Sequence, residues 1–267
     1  MPFSVNSVFA ILKYLNLHLI AFGILAYATA IKFSENPEGM VFKNAFIIGL
    51  IIFIIATFND YLKPSNTLEG SKVNFLNENR TVLFRAIVLA TLGIGGLLFY
   101  APKSIQLWTL GVTGVSALYL YVFNRIWNKP PYDFIRVLVQ SILLVMGIWG
   151  MIWLHEPKST ESLAVCLIFT GLFLQNSILK RIYRNKKKTG ITANWTKISY
   201  YLLILILVMG TYMCYNLTER FLIRLLLIAM ATSVIQAISL FRKATFQQFK
   251  TTHFLLDWIL LFPALVF

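Results

Sequence analysis

The stretch VFKNAFIIGLIIFIIATFNDYL, residues 41–62, decides the fold. No formal charge falls between Lys43 and Asp60, and the apolar residues run continuously instead of alternating. A helix of this length rises about 33 Å, enough to cross a hydrocarbon core of about 30 Å. Strands of an outer-membrane barrel would alternate apolar and polar over roughly ten residues, a pattern this run does not have. Comparable windows recur on either side, at about 8–31, 82–101, 105–123, 134–154, 162–180, 197–216, 221–241 and 253–267. Hydrophobic residues make up 58% of the chain and charged ones 13%, more apolar surface than one water-facing globule can hide. The expectation is an all-α, polytopic membrane helix bundle of about nine transmembrane helices. The short loops leave no room for a second core, so residues 1–267 read as a single transmembrane domain.

Charge sets the expected topology. With a cytoplasmic N-terminus, seventeen Lys and Arg fall in inside loops, against six outside, among them Lys32, Lys103 and Arg224. The positive-inside rule then places the C-terminus outside and the protein in the cytoplasmic (inner) membrane. The net charge of +14 is accounted for by loops facing an anionic leaflet, and no soluble domain presents a surface to nucleic acid. Ala28-Thr29-Ala30 resembles a leader-cleavage site, but the preceding run lacks a basic start and contains Lys13 and His18, so it reads as a retained first helix. Cys166 and Cys214 lie in separate spans without metal-ligand spacing, and His18, His155 and His253 are scattered. No phosphate-cradling glycine loop, Ser/His/Asp arrangement or zinc helix motif occurs in the chain.

The chemistry-bearing residues sit where two spans end. Asn59-Asp60-Tyr61-Leu62-Lys63 closes the second, just before Pro64, which discourages further helix. Asn59, Asp60 and Lys63 share one face of that terminal turn. Asn176-Ser177-Ile178-Leu179-Lys180-Arg181-Ile182-Tyr183-Arg184 closes the sixth, and Ser177, Lys180, Arg181 and Arg184 form a single helical stripe. Three spans separate the two, so both polar ends are expected on one side of the membrane. Such a stripe either lines a cavity or snorkels to the headgroups, and spacing alone leaves both open.

In register, these segments resemble the UbiA-type intramembrane prenyltransferases. Ala56-Thr57-Phe58-Asn59-Asp60-Tyr61 looks like the opening of that family's first Asp-rich motif, with Lys63 and Thr67 at its later acidic positions. Asn176 fits the lead Asn of the second motif, with Ser177, Lys180 and Arg184 at the acids. Asn185-Lys186-Lys187-Lys188-Thr189-Gly190-Ile191-Thr192 is similar to the run that follows it, and Leu120-Tyr121-Val122-Phe123-Asn124-Arg125 before Pro130-Pro131 resembles the tyrosine-basic loop. The resemblance implies a UbiA-like bundle whose cavity holds a prenyl diphosphate through magnesium.

The departures change what the resemblance implies. Magnesium prefers a near-octahedral set of hard oxygen ligands, and of the motif acids Asp60 alone remains, with Glu69 and Glu78 later in the loop. No cofactor is expected, and any Mg²⁺ would rest on Asp60. Asn59, Lys63, Arg125, Asn176, Lys180, Arg181 and Arg184 are instead the candidate contacts to a lipid phosphate, which Arg can grip in bidentate fashion. Three functions remain open at this point. The first is a pseudoenzyme binding an isoprenoid or other phosphorylated lipid at a basic cytoplasmic-side cavity. The second is an active prenyltransferase acting on an aromatic or lipid acceptor, in which Asp60, Tyr61 and Tyr121 are the catalytic candidates. The third is a non-catalytic scaffold or accessory subunit with a membrane-protein partner.

Other residues carry smaller expectations. Lys13 and Asn16, three apart on the first helix, share a face that points either to a cavity or to the headgroups, with His18 about 140° away from Lys13. Gln140, Gln175 and Gln236 are expected to bond between helices, and Gly93, Gly95, Gly96, Gly111 and Gly114 to permit close helix packing. Trp108, Trp127, Trp153 and Trp195 read as an interfacial belt. Asp257, in the last span, marks either a functional group or an interface.

Overall fold

A computed structural model of the chain describes residues 16–33, 41–62, 75, 78–125, 133–154, 160–184 and 189–241. Eight α-helices follow one another: α1 (Leu17–Ala30, continued by a 3-10 turn, Ile31–Phe33), α2 (Val41–Leu62), α3 (Arg80–Phe99), α4 (Lys103–Arg125), α5 (Asp133–Trp153), α6 (Thr160–Arg184), α7 (Thr189–Asn216) and α8 (Arg220–Phe241). No strand occurs among the described residues. Six of the helices, α3 to α8, are long and apolar enough to cross a membrane. In lipid a backbone must satisfy its own N–H and C=O groups, which a helix does within one segment. This is the fold of a helical membrane bundle. The span expected at 253–267, with Asp257, lies outside the described residues.

Of the run expected from 8 to 31, the described residues show a helix that begins at Leu17. Asn16 takes a left-handed backbone conformation (φ 57°), and its carbonyl accepts the Leu19 N–H at 3.0 Å, so α1 starts at Leu17. Asparagine enters that region more readily than most residues. Lys13 lies outside the described residues.

The chain forms two compact units, Met1–Asp133 with Gly150–His155, and Phe134–Trp149 with Glu156–Phe267. In the first, α1 and α2 meet at two glycines. A Cβ on Gly23 would stand 2.8 Å from the Gly49 Cα, and one on Gly49 would stand 2.9 Å from the Ile20 carbonyl oxygen. The two backbones therefore touch directly, which small residues permit. Asn44 Nδ2 donates to the Tyr27 hydroxyl at 3.2 Å across the same pair of helices. Farther along the chain, Gly150 faces the Trp108 indole so closely that a Cβ would overlap the ring. The glycines expected to mediate packing do not: Gly95, Gly96, Gly111 and Gly114 have nothing within 4 Å of a built Cβ, and Gly93 meets only Leu50 at 3.6 Å. They lie on the outward sides of α3 and α4. A glycine in an apolar run has the same sequence signature on either face.

The second unit is organised around α6, 72% of whose apolar window is buried, against 17% for α3. Gly171 receives Ile206 of α7, and Gly210 of α7 receives Met230 of α8. Trp149 packs on Phe169 with ring centroids 4.9 Å apart. Gln175 is fully buried and ties three helices together: its Nε2 donates to the carbonyls of Ser199 (3.4 Å) and Ser233 (3.3 Å), and its Oε1 accepts from Ser233 Oγ at 2.7 Å. Of the three glutamines expected to do this, Gln140 is exposed, and the buried side-chain amide of Gln236 has no partner among the described residues. The outward stripe of α7 runs Tyr201, Ile204, Leu205, Val208, Tyr212, Tyr215, apolar in the middle and tyrosine at both ends, as a lipid-facing helix with interfacial anchors would be.

Candidate functional site

The basic end of α6 rests on a core built from four helices of the second unit. Val137 near the start of α5, Leu174, Ile178, Leu179, Ile182 and Tyr183 at the end of α6, Trp195 near the start of α7 and Leu240 at the end of α8 form one buried cluster. Starts of α5 and α7 meet ends of α6 and α8, so successive helices of this unit run up and down. Their basic residues collect at the same end. Arg136 of α5, Lys180 and Arg181 of α6 and Lys197 of α7 all lie within two residues of a cluster member.

The α6 stripe itself is only partly covered. Ser177, Lys180 and Arg181 are half-buried, and Asn176 is 1% exposed. The Arg181 guanidinium carbon lies 5.8 Å from the Trp195 ring centroid, within cation–π range. Trp195 is in turn held edge-on by Phe134, centroids 5.9 Å apart. Tyr183 anchors the last turn by donating its hydroxyl to the Ser239 carbonyl of α8 at 2.5 Å. The final carbonyls of a helix carry partial negative charge, so cations there are favourable even without a ligand. What the geometry adds is a guanidinium fixed on an aromatic face instead of ranging freely.

Trp195 makes a contact that its position alone does not suggest. Its place near a span end reads as an interfacial belt, yet it is 9% exposed and serves as the platform for Arg181. Nothing local distinguishes the two roles, because the contact joins α6 to α7 across the turn between them.

The other candidates are distributed unevenly. Asn59, Asp60 and Tyr61 lie in the final turn of α2, and Arg125 and Arg184 end α4 and α6, but their side chains are outside the described set, as are all of Lys63 and Glu69. Tyr121 on α4 is 53% exposed, and Glu78 is exposed just ahead of α3. Of the candidates on α6, Asn176, Lys180 and Arg181 are described with their side chains, Asn176 buried and the two cations half-buried. Among the described residues no group of three or more His, Cys, Asp or Glu side chains is placed to hold a metal ion. Comparison with family models, with curated proteins and with solved structures gives no match.

Proposed function

We propose that this protein is a membrane-embedded binder of a phosphorylated isoprenoid or similar lipid, built on a UbiA-like bundle of about nine spans whose metal-binding acids have given way to basic residues. In this reading the N-terminus is cytoplasmic, the basic ends of the spans face the inner leaflet of the cytoplasmic membrane, and catalysis has been lost. The observation that carries it is the half-buried, Trp195-supported Arg181 beside Lys180 at the end of α6. Two adjacent half-buried cations, one of them held on an aromatic face, suit a phosphate. At an effective dielectric near 20, each charge pair at about 4 Å contributes roughly 4 kcal/mol before desolvation. Arg184, the last residue of α6, would add a third cation at the same helix end.

The test is native mass spectrometry of protein extracted in mild detergent, with lipid analysis of the same sample. Wild type is expected to retain an isoprenoid phosphate that the Lys180→Glu/Arg184→Glu variant has lost. Identical lipid profiles in the two proteins would end the proposal. One observation favours the accessory-subunit reading instead: Gly95, Gly96, Gly111 and Gly114 face outward, and small residues let a partner helix approach closely. A membrane protein that copurifies in fixed stoichiometry, with no retained lipid, would select that reading.

A further inference from the structure

Below the basic end, the seam between α6 and α8 carries a line of polar residues inside the membrane-spanning part of the second unit. On α8, Ser233, Gln236 and Ser239 recur every three residues, about 4.5 Å apart along the helix, and all are buried. Two of them have partners on α6: Ser233 Oγ donates to Gln175, and the Ser239 carbonyl accepts from Tyr183. Gln236 stands between them. The residue is 0% exposed, and neither Nε2 nor Oε1 has a hydrogen-bond partner among the described residues.

Asn176 of α6 is in the same condition. It lies seven residues before Tyr183, and so within about 20° of it around the helix, on the side from which Tyr183 reaches α8. Its Oδ1 is buried and unpaired. A third unpaired group, Ser199 Oγ, belongs to the residue whose carbonyl Gln175 already uses. Here the unpaired groups among the described residues are therefore three oxygens that can accept, on Gln236 and Asn176 along the seam and on Ser199 of the adjoining α7, and two donors, Gln236 Nε2 and the Ser199 hydroxyl.

We propose that this seam is a hydration site inside the bilayer, where one or two ordered waters bridge Gln236 to Asn176. The unpaired set defines the guest. A cation satisfies the oxygens but not Nε2, an anion does the reverse, and neither finds a countercharge among these neutral side chains. Water donates twice and accepts twice, and buried waters typically make about three hydrogen bonds to groups of this kind. This inference rests on the seam alone and stands whether or not a lipid phosphate binds at the end of α6.

Proton-detected solid-state NMR of the full-length protein in phosphatidylcholine bilayers, with ¹⁵N in the glutamine side chains, tests it. Magnetisation transfer from water is expected to reach the Gln236 amide and not that of Gln175, whose donor and acceptor are both used within the chain. The Gln236 signal is identified by its absence in Gln236→Leu, or in Gln236→Met if the leucine variant does not fold. Thermal unfolding of the same variants gives a second readout. Removing an unpaired amide in favour of an apolar side chain raises Tm, whereas removing one that holds water lowers it, by roughly 3 °C or more. Absence of water transfer to Gln236 in wild type, or a Tm that stays level or rises in every folded variant, would overturn the inference.

Discussion

Replacing glycine by alanine should have opposite effects at two sets of positions that look alike in sequence. At the α1–α2 crossing, the new Cβ on Gly23 would lie 2.8 Å from a backbone carbon, and the one on Gly49 would lie 2.9 Å from a backbone oxygen. Comfortable carbon contacts fall near 3.5–4.0 Å, so the helices must part by about 0.8 Å, a gap that forfeits a quarter to a half of each lining contact's attraction. Overpacking of this kind costs about 1–3 kcal/mol, and the better helix propensity of alanine returns up to about 1 kcal/mol. A net loss of about 1 kcal/mol is expected for either single variant. The double variant Gly23→Ala/Gly49→Ala should lose less than the sum, because helices already separated for one Cβ accommodate the other. Gly95→Ala and Gly111→Ala meet no neighbouring atom, so propensity acts alone and stability rises by a few tenths to about 1 kcal/mol. Reversible unfolding in mixed micelles, followed by circular dichroism, measures all five proteins on one scale. If Gly95→Ala destabilises as much as Gly23→Ala, the assignment of inward and outward faces is wrong.

Two further substitutions probe the second unit. Gln175→Leu keeps the volume but removes one short and two long hydrogen bonds joining α6, α7 and α8, and should lower unfolding free energy by about 1–2 kcal/mol; an unchanged value would mean the amide does not tie the helices. Trp195→Leu removes the face beneath Arg181 and the edge contact with Phe134, together about 1–2 kcal/mol. Its retained lipid phosphate should fall several-fold in the same preparation, and full retention would show that Arg181 needs no platform.

Much of the fold was legible because bilayer thickness imposes a length on every apolar run. The expected span at 41–62 coincides with α2, and none of the six runs from 82 to 241 overruns its helix by more than two residues, although α6 ends four residues later and α7 begins eight residues earlier than expected. What the runs could not reveal is which way each helix faces. In water a buried face is marked by polarity on the other side, but in lipid both faces are apolar. Gly23 and Gly95 therefore look equivalent until their neighbours are known. The start of α1 was hidden for another reason: it follows Asn16 in a left-handed conformation, which leaves no mark on hydropathy. At the candidate site, the 3.6-residue spacing placed Lys180, Arg181 and Arg184 on one helix end. The supports of that end were not legible, because Trp195, Phe134 and Ser239 come from other helices and their contacts depend on tertiary packing.

The central claim is that basic side chains at the end of α6 hold a lipid phosphate directly, without a metal. Its most direct measurement is the affinity of the purified protein in lipid nanodiscs for farnesyl diphosphate, determined in magnesium and again in EDTA. The account predicts the same dissociation constant in both conditions. It also predicts a loss of about 100-fold, or ~3 kcal/mol, in Lys180→Glu/Arg184→Glu, since each hydrogen bond between charged partners contributes roughly 1.5–3 kcal/mol. Binding that disappears in EDTA, or that survives the charge reversal unchanged, would contradict it.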